Sequence, residues 1–182
     1  MPDDGESARA ANVLGALALV LTDLTGAAVT EASGQSLSAA AALSALGQFL
    51  ERPTIDDLRR VLGLTPSGAV RLVDRLCADG LTTRGPGPDG RSRSVLLTAK
   101  GRRAARRLAA ARAAVLADVL GRLTAEQRSA VGPVADALLA SVVRGKDGGA
   151  WTCRLCDLTA CQRDEGRCPA FTAALDRFGS GS

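Results

Sequence analysis

Five cysteines and no histidine restrict the chemistry open to this chain of 182 residues. Cys153, Cys156, Cys161 and Cys168 fall within sixteen residues, spaced Cys-x2-Cys-x4-Cys-x6-Cys-Pro. Thiolate is a natural ligand for zinc and for iron–sulfur clusters, and a closed site of either kind takes four. The opening Cys-x2-Cys has the knuckle spacing of small zinc modules, and the closing Cys-Pro has that of ferredoxin-type cluster motifs. Arg154, Arg163 and Arg167 would offset the negative charge of four thiolates. A segment this short and polar cannot bury a core of its own, so a metal would hold it together by turning binding energy into folding energy. The four cysteines are therefore expected metal ligands, for zinc first and a [4Fe–4S] cluster second. The competing reading is four reduced or disulfide-paired thiols. Cys77 stands apart and reads as a small structural residue, with a lone redox-sensing thiol as the sharper alternative.

The lack of histidine excludes a Ser-His-Asp triad, a Cys-His pair and every His-ligated metal. Tyrosine is absent too, and no phosphate loop or Gly-x-Ser-x-Gly is present, so an enzyme is not expected. No run of 18 apolar residues is free of charge, from which no membrane span is expected. The acidic start, Met-Pro-Asp-Asp-Gly-Glu, is unlike a signal peptide. These features point to the cytoplasm, where clustered cysteines bind metals or do redox chemistry more often than they form disulfide frameworks.

A second set of candidates is basic. Between Arg52 and Arg112 stand fourteen Lys or Arg against five Asp or Glu, while the rest of the chain is net acidic. Concentrated positive charge favours polyanions, since each phosphate contact releases condensed counterions. A solvated helix face would carry the same charge, so the decision rests on what lies within the basic third.

The elements there are legible. Hydrophobic residues make up 46% of the chain and aromatics only 2%, a core of Ala, Leu and Val that favours helices. Leu14, Leu17, Leu21, Leu24 and Ala28 form one stripe of a helix from about Ser7 to Ala32. Ser36 opens a second helix, to Glu51. Thr54 caps a third, Ile55 to Leu62, which stops at Gly63. Thr65-Pro66 starts a fourth that runs to about Asp79, with Gly80 as its left-handed stop. Leu81 to Thr83 reads as a short strand, Gly85 to Gly90 as a turn and Ser92 to Leu97 as a returning strand. A fifth helix is expected from Ala99 to Leu123. The capping box Thr124-Ala-Glu-Gln opens a sixth, striped by Val131, Val134, Leu138 and Val142 and bent at Pro133.

Two helices joined by a Gly-containing turn and followed by a Gly-rich hairpin are the order of a winged helix-turn-helix, whose second helix enters the major groove. On the fourth helix Ala69, Leu72, Val73 and Leu76 would pack inward, leaving Ser67, Gly68, Arg71, Asp74 and Arg75 outside. Arg71 is long enough to present its fork to a guanine. Arg91 and Arg93 flank a rigid hairpin tip and would meet the DNA backbone or a narrow minor groove, with Asp89 orienting one of them.

The chain here resembles the MarR-type regulators of bacteria. The resemblance rests on Thr65 to Leu81 with its Val-Asp-Arg-Leu run, the Asp89-Gly-Arg91 wing and the Leu97-Thr98-Ala-Lys-Gly101 exit, and the helix order agrees from Ser7 to Arg144. It implies a homodimeric DNA-binding repressor or activator. Ser67, Arg71 and Arg75 carry over as recognition-helix residues, Arg91 as the minor-groove residue, and Asp89 with Arg93 as the pair that fixes the wing. Family members often bind phenolic ligands between dimerisation region and winged helix, whereas this chain has almost no aromatics there, and the family pattern does not account for the cysteines.

The expected fold is mostly α with a small β-wing. An N-terminal dimerisation helix (1–35) precedes the winged helix-turn-helix (36–98), C-terminal dimerisation helices (99–145) and a linker with the Cys-rich segment (146–182). The expected function is a transcriptional regulator, a repressor, that binds a pseudo-palindromic double-stranded operator as a homodimer and responds to metal or redox state through the tail. The alternative is a protein-interaction or metal-dependent scaffold that uses a winged helix without sequence-specific DNA binding.

Overall fold

The computed structural model describes residues 4–87, 92–143 and 150–179. The first helix, α1, spans Asp4–Ser33 and ends where Gly34 turns left-handed. Helix α2, Leu37–Gln48, is capped by the Ser36 hydroxyl. Seven of its residues, Ala39 to Ala45, are buried in a row, because small side chains let neighbouring helices approach on all sides. Helix α3, Ile55–Leu62, begins at a reciprocal capping box between Thr54 and Asp57 and ends at Gly63, whose φ of 64° suits a residue without Cβ. Helix α4, Pro66–Ala78, is capped by Thr65 and has proline in its first turn.

Strands β1, Thr82–Pro86, and β2, Arg93–Leu97, pair antiparallel with Thr82 opposite Leu97 and Pro86 opposite Arg93. Gly85 and Pro86, expected in the turn, belong to the strand. Pro86 is its last residue, where the missing N–H costs no interior ladder bond. Gly85 lets Leu96 lie across it, since a Cβ there would stand 2.8 Å from the Leu96 side chain.

Helix α5, Ala99–Gly121, leaves the wing through a tight joint. The Thr98 hydroxyl caps α5 and donates to the Gly80 carbonyl (2.7 Å), while the Thr98 N–H donates to the Leu81 carbonyl (3.0 Å). A Cβ on Gly101 would stand 2.0 Å from that same carbonyl oxygen, so only glycine fits. Helix α6, Ala125–Val142, opens with the expected Thr124–Gln127 capping box and runs through Pro133 uninterrupted. A last helix, α7, covers Pro169–Phe178.

One core joins α1, α2, α3, α4, α5 and the wing: Val29, Leu43, Leu58, Leu72, Val73, Leu76, Leu81, Val95 and Leu108 are buried together. The expected inward face of α4 is the buried one. The two long outer helices differ. Along α1, Leu14, Leu17 and Leu24 are exposed and Leu19 is 70% exposed. All four stripe residues of α6 are exposed as well. The stretch Gly5–Ser33 is long and apolar enough to cross a membrane by length and composition, with a mean hydropathy of 1.8 over its most apolar 18 residues. This corrects the expectation that no segment could: the single Asp23 interrupts the apolar run without making the helix polar.

Candidate nucleic-acid interface and cysteine cluster

The exposed side of α4 carries Ser67, Arg71, Asp74 and Arg75, with Gly68 half-exposed beside them. A helix whose opposite face is locked into the core presents these groups from a fixed base. Arg93 is exposed on β2. Arg91 and Asp89 lie outside the described residues, so their expected contacts are not part of the observed geometry.

Two anchors of the wing escaped the sequence reading. Arg84 on β1 forms an ion pair with Asp74, tying the wing to α4. Arg52, with a left-handed φ of 50°, donates from Nη2 to the Pro86 carbonyl (2.7 Å), and its own carbonyl accepts from the Ser94 hydroxyl (2.7 Å). The Val95 N–H donates to the Pro53 carbonyl (2.8 Å). The α2–α3 loop thus clamps the root of the wing. The Asp74 to Arg84 separation spans a helix end and a strand, so no local spacing rule signals it. Cys77 is half-buried with its sulfur 3.3 Å from the Thr82 hydroxyl, the setting of a structural residue.

Between α2, β2 and α5 lies an open cavity of about 890 Å³. Leu46, Leu50, Val95 and a row of α5 alanines supply its apolar wall, and Glu51, Arg52, Arg102, Arg106 and Asp157 its charges. Its described lining contains no aromatic ring, in keeping with the composition.

The four tail cysteines come together in a second, smaller core. Cys153 and Cys168 are buried with Val143, Ala170 and Ala174, and Cys156 and Cys161 pack against them half-buried. Within it Cys153 lies beside Cys156 and Cys161 beside Cys168, and the pairs also act on one another, Cys153 with Cys168 and Cys161 with Cys156. Among the described residues no three His, Cys, Asp or Glu are placed to hold a metal ion.

The pairing polarises the thiols. A hydrogen bond from Cys153 brings Cys156 down to about 6, with Arg112, Arg154 and Arg163 adding in the same direction against the effect of burial. Cys153 is pushed up, first by its bond to Cys156, then by burial and by repulsion from Cys156 and Cys168. Burial is the main cause of a rise at Cys161, with Cys168 and Cys156 next. Of the three arginines expected to balance thiolate charge, Arg154 and Arg163 are so placed. Arg112, from α5, is an unexpected third. Arg154 also lies over the Trp151 ring at 3.8 Å, and Arg163 over Phe171 at 4.5 Å.

A helical core, a helix-turn-helix and a two-stranded wing define the winged-helix class. The model of the MarR family matches residues 33–92, about a third of the chain and all within that unit. No curated protein matches. Solved structures do. The YusO protein of Bacillus subtilis is 21% identical with a TM-score of 0.64, over 78% of this chain and 99% of that one. Sco3205 of Streptomyces coelicolor, a MarR family transcriptional regulator solved in complex with DNA, is 21% identical with a TM-score of 0.60, over 79% and 92%. The Mycobacterium tuberculosis MarR family protein Rv2887, also solved in complex with DNA, is 27% identical with a TM-score of 0.57, over 70% and 95%. The mostly helical fold with a two-stranded wing is that of these regulators.

Proposed function

We propose that this chain is a MarR-type transcriptional regulator, not an enzyme, which works in the cytoplasm as a homodimer and represses transcription by occupying a pseudo-palindromic operator. The observation that carries the reading is the division of α4: Ala69, Leu72, Val73 and Leu76 buried, Ser67, Arg71 and Arg75 exposed on the face a major groove would meet. Arg71 reads a base edge, Ser67 and Arg75 hold the helix in register, and Arg91 and Arg93 take the wing to the minor groove and backbone, with Asp89 orienting the wing. Two similar structures solved with DNA support it. The apolar stripes of α1 and α6 would cover one another across a two-fold axis, setting two recognition helices about 34–36 Å apart, one turn of DNA. On this reading Cys153, Cys156, Cys161 and Cys168 bind one zinc ion per chain, or a [4Fe–4S] cluster in its place. The support is the donor set: four thiols from one short segment gathered in one small core.

Selection from a pool of random duplexes tests the DNA reading. A two-fold symmetric consensus is expected. Arg71→Ala should relax base preference at one position of each half-site, by about 1–3 kcal/mol of discrimination. A scaffold without DNA specificity would enrich no sequence. Leu21→Glu, on the stripe of α1, should give monomeric or misfolded protein that selects nothing, and a monomer by light scattering for the parent chain would remove the dimer. Elemental analysis and a visible spectrum of anaerobically purified protein decide the metal, since zinc is colourless and a cluster is brown.

A further inference from the structure

The tail is seated on the winged-helix unit. The Leu158 N–H donates to the Gln48 side chain at the end of α2 (3.1 Å), and the Arg163 guanidinium lies 5.7 Å over the ring of Phe49. Leu155 packs against the main core. Trp151 meets the turn between α3 and α4: a Cβ on Gly63 would stand 3.5 Å from the indole Nε1. Packing and hydrogen bonds hold this position, so the groups at the turn are presented from a fixed base.

Trp151 carries Arg154 on its face. The guanidinium carbon lies 3.8 Å from the ring centroid, and Nη1 donates to the Trp151 carbonyl (2.7 Å). A stacked guanidinium keeps donors free along its edge. Among the described residues, Nε and Nη2 of Arg154 and the indole N–H have no acceptor, and Arg154 is in no ion pair. Arg154 is half-buried, so its charge is screened less than that of a fully hydrated side chain. The helix before the turn supplies no such cation, since Arg59 and Arg60 are both held by Asp56, at 2.7 and 2.6 Å. Residues 150–179 have four arginines and four carboxylates, so the tail exerts no net pull on a polyanion. It supplies one placed cation with an N–H beside it.

On the DNA reading, α4 enters the major groove by its N-terminal residues and α3 crosses the backbone, which puts the turn between them at the rim of the groove. Gly63 stands two residues before Thr65, the cap of α4. We propose that Trp151 and Arg154 form a phosphate clamp that extends the DNA interface beyond the winged helix: the Arg154 guanidinium takes a backbone phosphate at the rim, and the indole N–H donates to the same phosphate. The inference rests on the DNA reading given above. Trp151 is both the platform that holds the guanidinium and the second donor. The contact reads no base; it fixes the register of α4 on the duplex.

The test uses the full chain and the duplex that it selects. Arg154→Ala should select the same consensus and bind it more weakly. One lost phosphate contact lowers the salt slope by about 0.9, so the parent's advantage should shrink roughly three- to fourfold between about 50 and 200 mM salt. Arg154→Lys keeps the charge and should keep the slope, and Trp151→Phe, which keeps the platform without the N–H, should fall between the parent and Arg154→Ala. Exchange of the Leu158 amide at the parent's rate would show the tail of Arg154→Ala still seated. Neutralising phosphates one at a time as methylphosphonates should find one in each half-site that weakens the parent and not Arg154→Ala. Trp151 is the only tryptophan and tyrosine is absent, so saturating duplex should move the emission of this one ring. Arg154→Ala with the parent's affinity and slope overturns the clamp while the DNA reading stands. A weaker variant with the parent's slope overturns it too, as does a set of methylphosphonates that never separates the two proteins. A chain that selects no duplex overturns the DNA reading, and the clamp falls with it.

Discussion

Around Leu58, Leu72 and Leu76 the winged helix closes over a core drawn from six elements. Around Cys153 and Cys168 the tail closes over two sulfurs, two alanines and a valine. The first region buries large aliphatic side chains, each contributing about 1.5–3 kcal/mol on leaving water. The second buries little apolar area, and its four thiols supply no comparable term. One region specifies its shape by packing. The other gathers four thiols, and on the proposed reading it responds to their chemistry while its neighbour stays folded. A responsive element is expected at the low-stability end of a structure.

Truncation should expose this difference most strongly. Leu76→Ala removes a fully buried side chain at the centre of the first region and should cost about 2–5 kcal/mol of global stability, read from a denaturant midpoint. Cys153→Ser, equally buried in the second, should leave that midpoint within about 0.5 kcal/mol. Its effect should appear instead as new proteolytic cleavage between Trp151 and Cys168. A midpoint shift for Cys153→Ser as large as that for Leu76→Ala would show the two regions to be one cooperative unit.

The same contrast governs what could be read in advance. Helices α3 and α4 were legible nearly to the residue, because Thr54, Gly63, Thr65-Pro66 and Gly80 are local signals that act where they stand. So was the buried face of α4, since periodicity alone divides it. The wing was legible in outline, but its strand was expected to stop short of Gly85, because glycine and proline signal a turn unless a partner strand holds them. The ion pair between Asp74 and Arg84 and the clamp by Arg52 depend on which elements meet, which no spacing records. The clustering of the cysteines followed from their proximity in sequence. Their pairwise arrangement did not, nor did Trp151 against Gly63, 88 positions away.

The joint between wing and α5 sharpens the comparison from the packed side. Gly101→Ala would drive a Cβ into the Leu81 carbonyl oxygen, a backbone atom that cannot rotate away. A loss of about 1–3 kcal/mol is expected from overpacking, with the strand end at Leu81 and Thr82 displaced. A substitution of this size in the tail, Gly166→Ala, meets no atom within 4 Å and is opposed only by its left-handed φ of 71°. It should therefore be the milder of the two, and equal losses would remove the claim that the joint is tight.

The smallest expected effect on stability is the most telling for function. Asp74 and Arg84 are both substantially exposed, and a surface pair of this kind contributes about 0.2–1 kcal/mol to folding. Arg84→Ala should therefore scarcely move the denaturation midpoint. It would, however, leave the Asp74 carboxylate unpaired on the face of α4 that carries Arg71 and Arg75. There it would repel phosphate and compete for the two arginines that the proposed contacts require. DNA binding by Arg84→Ala should weaken at low salt, and the deficit should shrink as salt rises and screens the uncovered charge. Replacing the carboxylate as well, in Asp74→Asn with Arg84→Ala, should recover most of the loss, because the double variant has no charge left to neutralise. If the double variant binds as weakly as Arg84→Ala, Arg84 acts by touching DNA itself, and the wing root becomes part of the interface rather than its support.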